Sequence, residues 1–346
     1  MSNISTISEF LLHANSQYQV FDMSRGIEAL SAQQFLDIEN GRLPYPAPRL
    51  GAAWLGVLFW QAVPGQHAIA DNSDPEYFIW FLKFPLDEQS KLIAGPRDHF
   101  LRILLDALAR QAKGEPLQEP PDHPYSFVPP QQQMAAFNSL VKKHLGMPPS
   151  PHFEKALAYI RAPQDMEWSE LPLQGISDVA AAMDDANVEQ AVLNGFMLLA
   201  EEVRHPLCEA MENQQPSSAF SHKVMEWIAT THQPEVQISG MRALSRSKEN
   251  QRVSELIIQV LGQSTLNTNL LVTISGRHWH RLTEKTLFMT YMETLAKQAP
   301  ELFSAIFADL VRIPLLREQM LGLLRSPDKS QLLLKAIGAL FSEQGR

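Results

Sequence analysis

Ten one-sided helices in succession, each starting a short and regular distance after the last, leave a chain few ways to fold. Phe220, Val224, Trp227 and Ile228 follow the i, i+4, i+7, i+8 spacing of a single helix face, and Val253, Leu256, Ile257 and Val260 follow i, i+3, i+4, i+7. Leu302, Phe303, Ile306, Phe307 and Leu310 repeat the stripe, as do Leu333, Ile337, Leu340 and Phe341. Starts marked by caps and prolines fall near Asn187, Val203, Pro216, Pro234, Asn250, Asn267, Thr283, Pro300, Pro314 and Pro327, spaced 13 to 18 residues apart. A helical pair therefore recurs roughly every 30 residues, inside the range of repeat architectures. A helix that is apolar on one side has to bury that side against a neighbour, so residues 131–346 are expected to form an α-helical repeat domain, a curved solenoid of stacked pairs.

One of these pairs is more specific. Pro234 to Leu244, Pro-Glu-Val-Gln-Ile-Ser-Gly-Met-Arg-Ala-Leu, followed by Val253 to Leu261, resembles a HEAT-type repeat, although the usual aspartate between the helices is not evident. The resemblance implies a HEAT-like fold and no activity, because such arrays serve as scaffolds for many binding surfaces.

The first third of the chain reads differently. Ile7, Phe10 and Leu11 mark a short helix within residues 4–14, Tyr18 to Met23 suggests a strand, and Ser31-Ala-Gln-Gln34 opens a helix that ends near Asn40-Gly41. Two stronger strands, about 52–61 and 76–84, are rich in aromatic and branched residues and are separated by the polar, turn-like stretch Ala70 to Pro75. The gap is too short for a crossover helix, so the two strands should pair antiparallel. Phe100, Leu101, Leu104, Leu105 and Leu108 then mark a helix over 96–113. The expected class is mainly α, with a small N-terminal α+β domain at 1–113 joined to the repeat domain by a proline-rich linker at 114–130. Six prolines fall in that linker, and within it Tyr125, Phe127 and Val128 are expected to seek cover from water.

The order of segments as a whole resembles a family of gamma-proteobacterial proteins described only as a domain of unknown function. The resemblance rests on Gln19-Val-Phe-Asp-Met-Ser-Arg-Gly-Ile27, on Phe78-Ile-Trp-Phe-Leu-Lys-Phe-Pro85 and on the helical remainder. It implies length and architecture and no functional residues.

Composition narrows the chemistry. No run approaches the ~20 apolar residues of a membrane span, and the N-terminus lacks a signal-peptide pattern, so a cytoplasmic protein with no membrane partner is expected. Cys208, the only cysteine, excludes an intrachain disulfide and reads as a buried thiol rather than a nucleophile. The net charge of −9 opposes general attraction to nucleic acid but hides an asymmetry. Residues 163–241 hold 13 acidic residues against Arg204 and Lys223, whereas 242–285 hold seven basic residues against Glu249, Glu255 and Glu284.

Candidate sites are few. The chain has no glycine-rich phosphate loop and no serine-hydrolase elbow. Glu202 and His205 have the Glu-x-x-His spacing of di-iron bundles without a second copy, and Asp71, Asp74 and Glu76 could hold a hard cation or simply form a polar turn; in both cases the bland reading is preferred. No metal or cofactor is expected. The aromatics Trp54, Phe59, Trp60, Tyr77, Phe78, Trp80 and Phe81 could line a pocket, but strand alternation sends them to both sheet faces, where packing accounts for them.

Arg277-His278-Trp279-His280-Arg281 is the most distinctive pentapeptide. In a strand the two histidines could share a metal, whereas in a helix they point about 200° apart. Placing Arg281 on an apolar helix stripe would be costly, so the pentapeptide is expected in a turn, with Trp279 offering a stacking face. Arg242 and Arg246 lie four apart on one expected helix face, and Arg252 opens the next helix. If the fold gathers them with Arg277 and Arg281 they form a basic patch for phosphate or carboxylate; otherwise they neutralise the acidic stretch.

Three functions follow. The first is a non-catalytic scaffold or adaptor that binds another protein. The second is a nucleic-acid or phosphate-ligand binder using 242–285, and the third is an enzyme with a site between the domains.

Overall fold

The computed structural model describes residues 4–61, 76–112 and 123–342. Two compact units are formed, Met1–Pro129 with Arg312–Pro314, and Pro130–Val311 with Leu315–Arg346. The protein is mainly α-helical, with one small antiparallel sheet in the first unit.

In the first unit, helix α1 (Ile7–His13) starts where the Thr6 hydroxyl accepts the Glu9 N–H, and strand β1 (Ser16–Asp22) follows. Strand β2 (Glu28–Leu30), helix α2 (Ala32–Glu39), strands β3 (Ala52–Gln61) and β4 (Tyr77–Pro85), and helix α3 (Ala94–Ala112) complete the unit. The strand order is β2-β1-β3-β4 with every neighbour antiparallel, and Val20, Val57 and Trp80 form one rung across three strands. One sheet face supplies Val20, Leu55, Val57, Leu82 and Phe84 to a core closed by Phe10, Leu11, Phe35, Ile38, Phe100 and Leu101. The three-residue β2 is too short for any periodicity to reveal it. The polar stretch that contains Asp71 and Asp74 lies outside the described residues.

The aromatics divide as alternation requires. Phe59 lies 4.4 Å from Trp80 and 5.5 Å from Phe78 between ring centres, and it packs on the core. Trp54 instead takes Phe127 edge-on at 4.9 Å and the Lys83 ammonium over its ring at 4.2 Å. Residues 123–129 are laid along β4: the Lys83 N–H donates to the Tyr125 carbonyl and the Phe127 N–H to the Phe81 carbonyl. Tyr125 and Phe127 thereby gain aromatic contacts, but Val128 lies past the last of these bonds and is 88% exposed, against expectation.

The second unit contains α4 (Gln131–His144), α5 (Phe153–Arg161), α6 (Leu173–Ala181), α7 (Ala186–Gly195), α8 (Glu201–Met211), α9 (Ser218–Ala229) and α10 (Pro234–Ala243). It continues through α11 (Asn250–Leu261), α12 (Thr268–Arg277), α13 (Lys285–Gln298), α14 (Pro300–Leu310), α15 (Pro314–Arg325) and α16 (Gln331–Ser342). From α7 onward every helix begins within about four residues of the start expected from caps and prolines. Helices pack on their next-but-one neighbours: α6 on α8, α8 on α10, α10 on α12, α12 on α14 and α14 on α16, with α5 on α7 and α7 on α9 beside them. Gly195 makes one of these crossings possible, because a Cβ there would collide with the backbone carbonyl of Ile160 in α5.

Candidate functional site

Because α8, α10 and α12 lie side by side in one row, residues near their C-terminal ends can meet. Glu212 caps the end of α8, Arg242 stands in the last turn of α10 and Arg277 is the last residue of α12. The Arg242 Nε and the Arg277 Nε both donate to Glu212 Oε2 at 2.7 Å, Arg277 adds a second bond to Oε1 at 3.2 Å, and Arg242 reaches Glu209 at 2.8 Å. Helix C-termini carry partial negative charge, which suits the two guanidiniums and disfavours the carboxylate. Burial would raise the Glu212 pKa, but Arg277 and Arg242 outweigh it and hold the group at about 2. The acidic and basic stretches thus meet within one molecule, and the neutralising alternative describes Arg242 and Arg277.

The expected patch is therefore divided. Arg246 falls beyond the end of α10 and does not share a helix face with Arg242, because the helix closes at Ala243. Arg252 lies in the first turn of α11, is exposed, and meets the His222 ring. His222 also faces Glu249.

Arg281 goes elsewhere again. It is 5% exposed, in the turn between α12 and α13, where its guanidinium donates to the Asn250 side chain, to the Ser247 carbonyl at 2.7 Å and to His278 Nδ1 at 3.3 Å. As expected, the pentapeptide leaves the helix after Arg277 and Arg281 stands in the turn rather than on a helix stripe, yet it is buried there all the same. Three neutral acceptors replace water around the charge, and burial lowers its pKa only to about 10.

The two histidines are neutral at pH 7. His278 is fully buried and its Nε2–H donates to the Met241 carbonyl at 2.8 Å; burial, then Arg281 and His280, lower its pKa to about 3. His280 is held at about 4 by burial, Arg281 and Arg246. With Nε2 on a carbonyl and Nδ1 accepting from Arg281, His278 has no nitrogen to give a metal. Among the described residues no three His, Cys, Asp or Glu side chains gather as a metal site. Trp279 is half-buried and stands edge-on to His280 at 5.8 Å.

The remaining candidates are local. His205 Nδ1 is 2.8 Å from the Ser239 hydroxyl, and Glu202 is exposed. Cys208 is fully buried, and burial pushes its thiol far above the usual range, so it is not a nucleophile. Among the described residues no helix is long and apolar enough to cross a membrane.

Arg242, Arg277, His278 and Arg281 thus serve as ties between helix ends. Sequence reasoning did not single out Glu212, the centre of the arrangement. Its one signal is that it stands three residues after Glu209 at the end of a helix, within a stretch short of local cations.

No curated protein matches the chain, and no solved structure does. A family model does match it, over residues 2–341, and the chain belongs to that family, whose description is a protein of unknown function, DUF3549.

Proposed function

We propose that this chain is a non-catalytic, cytoplasmic interaction protein that holds another protein on the packed helices of its second unit. The observation that carries this reading is the next-but-one packing of short helices from α5 to α16. That is the arrangement expected of a HEAT-like repeat array, a scaffold whose neighbouring pairs present a continuous binding surface. Apolar side chains left in water along these helices, including Val272, Leu315, Leu334 and Phe341, add surface of the kind a partner covers.

Electrostatics favours a protein partner over nucleic acid. Arg242 and Arg277 are spent on Glu212, and Arg281 is buried, which removes three cations from the stretch a phosphate backbone would use.

The test is capture of the tagged full chain from its native cell extract, with and without nuclease, at low and high salt. A protein recovered in fixed stoichiometry through nuclease and high salt supports the reading. Recovery that disappears with nuclease or salt overturns it in favour of nucleic acid, and recovery of no protein overturns it outright.

A further inference from the structure

The C-terminal ends of α4 and α6 and the loop that follows α4 border an open cleft of about 190 Å³. Its wall is built from Met147, Pro149, Ala181 and Ala182 together with Lys142 and Lys143, and Asp178 lies at its polar side. The cleft is held open by bonds that leave one cation unused. Asp178 is 1% exposed and accepts from the Ser139 hydroxyl at 2.5 Å, the Gln174 amide at 3.0 Å, and both the N–H and the hydroxyl of Ser150, which pins the loop onto the two helices. Lys143 donates to the Ala181 carbonyl at 2.6 Å and to Asp184 at 2.7 Å. Lys142 is half-buried on the same wall, and its ammonium makes no hydrogen bond or ion pair with any described residue.

Size and charge together select an occupant. Sites that enclose a whole small-molecule ligand run to roughly 300 Å³ or more, whereas about 150 Å³ of apolar space holds a single benzene-sized group. A cleft of about 190 Å³ therefore fits one apolar side chain, and Lys142, a lysine of its wall with no ion-pair partner among the described residues, complements a carboxylate beside that side chain. We propose that this cleft is an anchor site for a partner protein, taking one leucine- or phenylalanine-sized side chain whose neighbouring carboxylate pairs with Lys142. This rests on the protein-interaction reading above and names the chemistry the partner presents there. Anchors of this kind, a buried apolar group in a preformed pocket with a charged rim, dominate the energetics of many interfaces.

The test uses the purified full chain with methyl-labelled methionines and three probes, N-acetyl-leucine, N-acetyl-leucine amide and N-acetyl-alanine. The expected result is a saturable shift of the Met147 methyl signal with N-acetyl-leucine, weakened roughly fivefold for the amide and by a similar factor in Lys142→Gln, since a partly exposed ion pair is worth up to about that much. N-acetyl-alanine, which leaves the cleft unfilled, should bind more weakly still. Ala182→Leu, at a half-buried wall position, should abolish the shift while leaving the circular dichroism spectrum unchanged. No shift with N-acetyl-leucine, or equal shifts for acid and amide in both wild type and Lys142→Gln, overturns the proposal. The two readings fail separately. A protein captured equally well by wild type, Lys142→Gln and Ala182→Leu leaves the interaction reading standing and removes the anchor site. Probe binding with no protein captured assigns the cleft to a small acid instead and overturns the partner proposal.

Discussion

Arg277 and Glu212, sixty-five residues apart in the chain, meet at 2.7 Å, and Arg242 joins them from the helix that lies between. One carboxylate thus ties the ends of α8, α10 and α12. A buried charge that loses its partner is left uncompensated in a poorly polarisable surrounding, so the tie is asymmetric: removing the carboxylate strands Arg277 and leaves Arg242 with Glu209 alone.

Glu212→Gln should lower the stability of the helical unit by about 3 kcal/mol, within the range for breaking a buried ion pair. Urea titration followed by far-ultraviolet circular dichroism measures this. A change below about 0.5 kcal/mol would show that the ion cluster contributes little.

Acid should weaken the helical unit through its two buried histidines, His278 and His280, and at lower pH through Glu212. His278 takes up no proton until about pH 3 when folded, whereas the unfolded chain does so near 6.5, so its contribution to stability is complete above 6.5 and is lost as pH falls toward 3. Glu212 adds a second loss between 4.5 and about 2, since its folded pKa lies below its unfolded one. Every tenfold change in proton affinity is worth about 1.4 kcal/mol. His278→Gln should flatten the slope of stability against pH between 6.5 and 4.5, and an unchanged slope would assign it to other groups.

The first unit holds a buried carboxylate with the opposite sign. Burial raises the Asp22 pKa to about 6, so the folded state keeps a proton that the unfolded chain has released above 3.8, and stability falls as pH rises from 3.8 to 6. The Tyr45 hydroxyl limits this effect by donating to Asp22 at 2.5 Å. Tyr45→Phe should therefore destabilise the first unit by about 1 to 3 kcal/mol at pH 7, the cost of a buried acceptor left short of a donor. The loss should shrink below pH 5, where Asp22 is neutral; denaturation at pH 7.5 and pH 4.5 compares the two.

Two glycines should answer differently to alanine. At Gly195 the new methyl meets the Ile160 carbonyl, which is helix backbone and cannot move alone, so Gly195→Ala should cost about 2 kcal/mol or more. At Gly240 it meets the Ile228 side chain at 2.5 Å, side chain that can shift by a few tenths of an ångström rather than helix backbone, and the gain in helix propensity of about 1 kcal/mol offsets part of the strain. Thermal unfolding of both variants tests the order, and an equal or larger loss for Gly240→Ala would refute it.

The helices and most of the strands were legible in local sequence pattern. Stripes such as Val253, Leu256, Ile257 and Val260 are local, and so are the proline and cap signals that put each helix start within about four residues of its place. Alternation along a single strand likewise sent the strand aromatics to both sheet faces, as Trp54 against Phe127 and Phe59 on the core show. The sequence by itself could not reveal β2, whose three residues form a strand only because β1 lies beside them. Nor could it choose among partners for seven basic residues. Whether Arg242 faces solvent or Glu212, and whether Arg281 pays the full cost of burial or finds Asn250, Ser247 and His278 waiting, depends on which helix ends the packing brings together. Those contacts span roughly thirty residues or more for every pair but His278, and only the tertiary structure closes such distances. The charge pattern announced that opposite stretches existed; the row of α8, α10 and α12 decided that Arg242 and Arg277 meet at Glu212.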